Sequence, residues 1–91
     1  MNQKEFNKKE LYQRLLTETR EKGLGYRFLL DEFKRNKWNL NANQAIEIAN
    51  FLDQEINCIL FYAYDLNILN VDNKTKKVIL KAKQNDSEER V

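Results

Sequence analysis

Ninety-one residues, 42% of them apolar and carrying 16 Lys+Arg against 14 Asp+Glu for a formal net charge of +2, suit one hydrophobic core and are too few for two independently stable domains. So small a net charge neither demands nor excludes nucleic acid, and the location of the charges has to decide. With no histidine, one cysteine and neither an HExxH pattern nor a G-x-x-x-x-G-K loop, the usual zinc sites, phosphate cradles and Cys–His chemistry are missing, and a noncatalytic chain without metal or cofactor is expected.

The first segment, Lys4 to Lys22, spaces Phe6, Leu11, Leu15 and Leu16 along one helical face, with Lys8, Glu10, Arg14, Glu18 and Glu21 mostly elsewhere. Gly23-Leu24-Gly25 ends it, because Gly23 can adopt the left-handed conformation that stops a helix. A phosphate loop would need a strand before this Gly-x-Gly, and a helical pattern precedes it, so the reading is a turn. A second helix spans Tyr26 to Asn36, with Phe28, Leu29, Leu30 and Phe33 toward a core and Arg27, Asp31, Glu32, Lys34 and Arg35 on the polar side.

Lys37-Trp38-Asn39-Leu40-Asn41 interrupts the period, and a short extended piece is expected at Trp38 to Leu40. Asn41 then caps a third helix over Ala42 to Leu52, where Ala42, Ala45, Ile46, Ala49 and Leu52 recur at three- and four-residue steps. Its alanines allow close approach of a neighbour. Asp53 reads as a second N-cap, opening a fourth helix that carries Ile56, Ile59, Leu60, Ala63 and Leu66 on one face. The competing reading is one long helix from Asn41 to Asp65, since no Gly or Pro marks the joint.

The longest nearly uncharged run, Ile56 to Tyr64, is far short of a membrane span. Cys58 cannot form an intramolecular disulfide, has no histidine partner and reads as a small core or helix-surface residue. Without a leading apolar run ending in a cleavage-like site, a cytoplasmic protein with no membrane role is expected.

After Leu66 the period changes. Ile68 to Val71 and Val78 to Leu80 are rich in β-branched residues, and Asp72-Asn73-Lys74-Thr75 between them has the composition of a turn, so a β-hairpin is expected. Residues 1–83 form the expected single domain, mainly α with a small hairpin, and the polar residues 84–91 a disordered tail.

From Tyr26 to Lys83 this order of elements resembles a winged helix-turn-helix. The run Ala45-Ile46-Glu47-Ile48-Ala49-Asn50-Phe51-Leu52 looks like the small-residue second helix of that motif, and Leu66-Asn67-Ile68-Leu69-Asn70-Val71 like the exit from its recognition helix into the wing. The resemblance covers about two thirds of the chain and extends to regulators and replication proteins of bacteria and their mobile elements, with the additional N-terminal helix as a surface for dimers. It implies a noncatalytic DNA-binding protein, a transcriptional regulator or replication accessory factor, acting on double-stranded DNA as a homodimer. Gln54, Glu55, Asn57, Cys58 and Phe61 would face base edges. Arg27, Lys34, Arg35 and Lys37, with Lys74, Lys76, Lys77, Lys81 and Lys83 on the wing, would face phosphates. Lysines on a hairpin also serve solubility or guard an edge strand.

One departure from that pattern stands out. No Lys or Arg occurs from Trp38 through Asn73, whereas Glu47, Asp53, Glu55, Asp65 and Asp72 do, so the reading helix brings carboxylates toward phosphates. This opens an alternative: Glu55, Phe61, Tyr62 and Asp65 as a protein-binding surface of an inhibitor or adaptor, whose partner could be a nucleic-acid-binding enzyme and whose carboxylates would imitate nucleic-acid charge.

Overall fold

The computed structural model describes residues 3–90, and the side chains of residues 9–85. Five helices follow one another: α1 (Gln3–Glu21), α2 (Tyr26–Arg35), α3 (Ala42–Phe51), α4 (Ile56–Leu66) and α5 (Asn73–Arg90). The Phe6 and Lys8 side chains, assigned above to α1, lie outside the described residues.

The first four helices end alike. Gly23, Lys37, Asp53 and Asn67 all have positive φ, between 56° and 69°, and each helix is closed by the pair of backbone hydrogen bonds that defines a Schellman motif. The longer-range member of each pair runs from Leu24 N–H to Thr19 O (2.9 Å), Trp38 to Phe33 (2.9 Å), Gln54 to Ala49 (2.8 Å) and Ile68 to Ala63 (3.1 Å). The chain therefore breaks between α3 and α4, as the change of apolar phase suggests, although Asp53 is not the cap expected of it. It is the left-handed residue that terminates α3, and the N-cap of α4 is Glu55, which makes no side-chain cap hydrogen bond. Asn41 does cap α3, in a reciprocal capping box with Gln44.

Leu15, Leu16, Leu29, Leu30, Phe33, Ala45, Ile48, Ala49, Ile59 and Ala63 build the core from α1 to α4. The Phe33 ring sits at its centre, edge-on to Tyr12 at 5.8 Å and to Trp38 at 5.4 Å. On α3 the inward face is rotated from the expected one: Ile48 is fully buried, whereas Ala42 is exposed and Ile46 is 50% exposed. The small Ala45 and Ala49 allow the expected close approach, and α3 packs on α4, which also contacts α2 and α5.

The β-hairpin is absent from the described residues, and with it the wing. Ile68 to Val71 is extended up to a point: Leu69 forms an isolated parallel bridge with Leu40, in which Leu40 N–H donates to Ile68 O and Asn70 N–H donates to Leu40 O, both at 2.7 Å. The β-branched run thus finds its partner in the Trp38–Leu40 link. Val78 to Leu80 is helical, the second turn of α5, with Ile79 buried and Val78 62% exposed. Asp72 causes the switch, because its carboxylate accepts the Thr75 N–H at 2.7 Å and so caps α5. The backbone of α5 continues to Arg90, through residues expected to form a tail, and Val91 lies outside the described residues.

Candidate nucleic-acid interface

What the α3–α4 turn positions is the N-terminal end of α4. Leu52 to Glu55 is a four-residue link, the length that joins the two helices of a helix-turn-helix. Its Schellman closure fixes the direction in which the chain leaves α3. With Ile59 and Ala63 turned inward, Gln54, Glu55 and Asn57 are left exposed. These three candidates therefore lie together, and Gln54 and Asn57 keep amide groups able to pair with an adenine edge.

The remaining candidates on α4 are engaged within the fold. Cys58 and Phe61 are half-buried. α5 covers this part of α4: Lys83 places its ammonium 5.7 Å from the Phe61 ring centroid and 3.1 Å from the Asp65 carboxylate. On the opposite flank, the Tyr62 hydroxyl donates to Asp31 at 2.7 Å, and Arg27 stacks 5.3 Å from the Tyr62 ring. That hydrogen bond, more than burial, raises the Tyr62 phenol above its ordinary range. Of the four residues assigned to an acidic protein-binding surface, only Glu55 has a side chain with no hydrogen bond, ion pair or ring contact among the described residues.

The cations divide in the same way. Lys34 reaches from α2 to the last turn of α4, donating to Leu66 O at 2.9 Å, where a positive charge complements the helix dipole. Arg35 pairs with Glu32 at 3.1 Å. Lys76 is half-buried and lines a cleft with Tyr64, Asn67 and Leu69. Lys37, Lys74, Lys77 and Lys81 are exposed and form no ion pair among the described residues.

Two features were invisible in the sequence. The Arg27–Tyr62–Asp31 cluster joins Tyr62 to two residues of α2 that lie 31 or more positions away in the chain, and no local pattern announces it. An open concavity of about 850 Å³ lies between the α1–α2 turn and the end of α3; Arg20, Tyr26, Glu47, Phe51 and Gln54 are among its walls. Arg20 stacks on Phe51 at 5.0 Å, and Tyr12 donates to Glu47 at 2.5 Å. Among the described residues, no group of three or more His, Cys, Asp or Glu side chains could hold a metal ion, and no helix is long and apolar enough to cross a membrane.

Comparisons of the chain with models of protein families, with curated proteins and with solved structures give no match.

Proposed function

We propose that this chain is a noncatalytic DNA-binding protein, a regulator of transcription or an accessory of replication, in which α3 and α4 act as a helix-turn-helix without a wing. The observation that carries the reading is the four-residue α3–α4 link, which leaves Gln54, Glu55 and Asn57 exposed at the leading end of α4. In helix-turn-helix proteins that end of the second helix meets the base edges. The carboxylates of the Trp38–Asn73 stretch weaken the reading less than their number suggests. Asp65 is paired with Lys83, Asp72 caps α5 and Glu47 accepts from Tyr12, which leaves Asp53 and Glu55 at the turn. A homodimer belongs to the same proposal, because a second copy doubles the few cations that one chain offers and suits a two-fold site.

Titration of a mixed pool of labelled duplexes at low and at physiological salt tests the proposal, with sedimentation reporting the mass. Saturable, salt-sensitive binding by a species of twice 11.0 kDa is expected. In that state Asn57→Ala changes which duplexes are preferred, by a factor of about 5 to 100 at the affected base pair. An absence of saturable binding at both salt concentrations contradicts the proposal.

A further inference from the structure

The lysines of α5 fall into two sets. Lys76 and Lys83 sit on one flank of the buried face around Ile79, next to α4, and Lys83 is held there by Asp65 and Phe61. Lys74, Lys77 and Lys81 recur at steps of three and four, and at 3.6 residues per turn they form one stripe about opposite Ile79. All three are exposed.

This stripe works against the stability of its own helix. From Asn73 through Asn85 there are five lysines and not one carboxylate. Lys74 and Lys77, and Lys77 and Lys81, are like-charged neighbours three and four residues apart, and they load the end of α5 where the helix dipole is already positive. In α1 and α2, by contrast, several cations have a carboxylate within reach. Arg14 pairs with Glu10, Lys22 with Glu18 and Arg35 with Glu32, each three or four residues along the chain. Guarding an exposed sheet edge, the reason a hairpin would supply for these lysines, does not exist on a helix.

We infer that the outer face of α5, Lys74, Lys77 and Lys81, is a contact surface for the phosphodiester backbone of nucleic acid, separate from the leading end of α4. The chemistry of the stripe selects this partner. Apart from Val78 and, at its margin, Leu80 (38% exposed), its neighbours on that face are Asn73, Gln84 and Asn85, so it has neither the continuous apolar centre of a protein interface nor the aromatic side chains and run of leucines that seat a helix in a membrane surface. Compact ammonium groups on flexible stems suit a chain of phosphates, which they contact without reading sequence. Because α5 lies against α4 through Ile79 and Lys83, the stripe can add affinity beside α4 while leaving sequence preference to Gln54 and Asn57. In taking nucleic acid as the polyanion, the inference rests on the DNA-binding reading above.

The test is the salt dependence of binding to a mixed-sequence 20-bp duplex, compared between wild type and the variant Lys74→Gln, Lys77→Gln, Lys81→Gln. Glutamine keeps the helix propensity, and circular dichroism checks that α5 remains formed. Three lost phosphate contacts per chain, six in the homodimer, should flatten the slope of log K against log salt by about 5.4 and weaken binding equally for all duplexes. An unchanged slope overturns the stripe and leaves the α4 reading standing. A flattened slope together with unaltered sequence preference in Asn57→Ala keeps the stripe and removes the α4 reading. No duplex binding by the wild type overturns both, and equally tight binding of poly-glutamate overturns the phosphodiester assignment.

Discussion

Gly23, Lys37, Asp53 and Asn67 hold the same left-handed backbone, yet only the first, with no Cβ, is the residue best suited to it. A Cβ crowds that conformation by roughly 1–2 kcal/mol, less for Asn and Asp, whose short polar side chains tolerate it. Lys37→Gly should therefore stabilise the protein by about 0.5–1 kcal/mol after the added freedom of the unfolded chain is deducted, and Asn67→Gly by less. Gly23→Ala should cost about 1 kcal/mol, although a Cβ there meets no atom within 4 Å, because the backbone and not the space is limiting. Urea midpoints check all three, and a destabilised Lys37→Gly would contradict the account of the α2 end. Asp72 carries a pH dependence as well. Its carboxylate is held below the ordinary 3.8 by the Thr75 hydroxyl first and the Thr75 N–H second. A depressed folded value means that its contribution is fully present above 3.8 and is lost as the pH falls through the folded value. Asp72→Ala should lower the melting temperature at pH 7, and the gap from wild type should be smaller at an acidic pH, where the carboxylate is protonated in both states. An equal gap at both pH values would show that the cap is not what holds the start of α5.

At the scale of elements, the first three helices and the joint between α3 and α4 were legible because periodicity and punctuation agreed there. Leu29, Leu30 and Phe33 repeat at helical steps, Gly23 stops α1, and Asn41 and Gln44 form a box readable four letters at a time. The C-terminal element was misread at Asp72, since the side-chain-to-backbone hydrogen bond that favours Asp in a turn is the same bond that caps a helix. Two signals pointed the other way. No glycine occurs after Gly25, although tight hairpin turns favour one, and Ile79, Ala82 and Lys83 keep helical steps from that cap. Substitution distinguishes the two structures. Ile79→Ala should cost about 2–3 kcal/mol by opening the α4–α5 contact. Val78→Ala, at a 62% exposed helical position, should be neutral or gain about 0.5 kcal/mol, because alanine is the better helix former. A strand would lose stability with either change, so a marked loss in Val78→Ala measured by urea unfolding would contradict a helical α5.

For the whole molecule, the site was legible as a list of residues and not as an arrangement. Gln54, Glu55 and Asn57 could be placed outward from the phase of α4, whereas the engagement of Phe61 and Asp65 by Lys83, and of Tyr62 by Asp31, depends on how α5 and α2 pack against α4. Charge in the sequence made α4 an acidic helix. Packing sets Lys83 against Asp65 and Arg27 beside Tyr62, so the exposed carboxylates of that region without an ion pair among the described residues lie at its leading end, at Asp53 and Glu55. The central claim is that duplex DNA is bound at that end. Backbone amide shift mapping during titration with a duplex pool tests it most directly. The account predicts shifts centred on Gln54 to Cys58, with a second set on the outer face of α5 around Lys77. Shifts confined to the concavity between Arg20 and Phe51, or no shifts at saturating duplex, would contradict it.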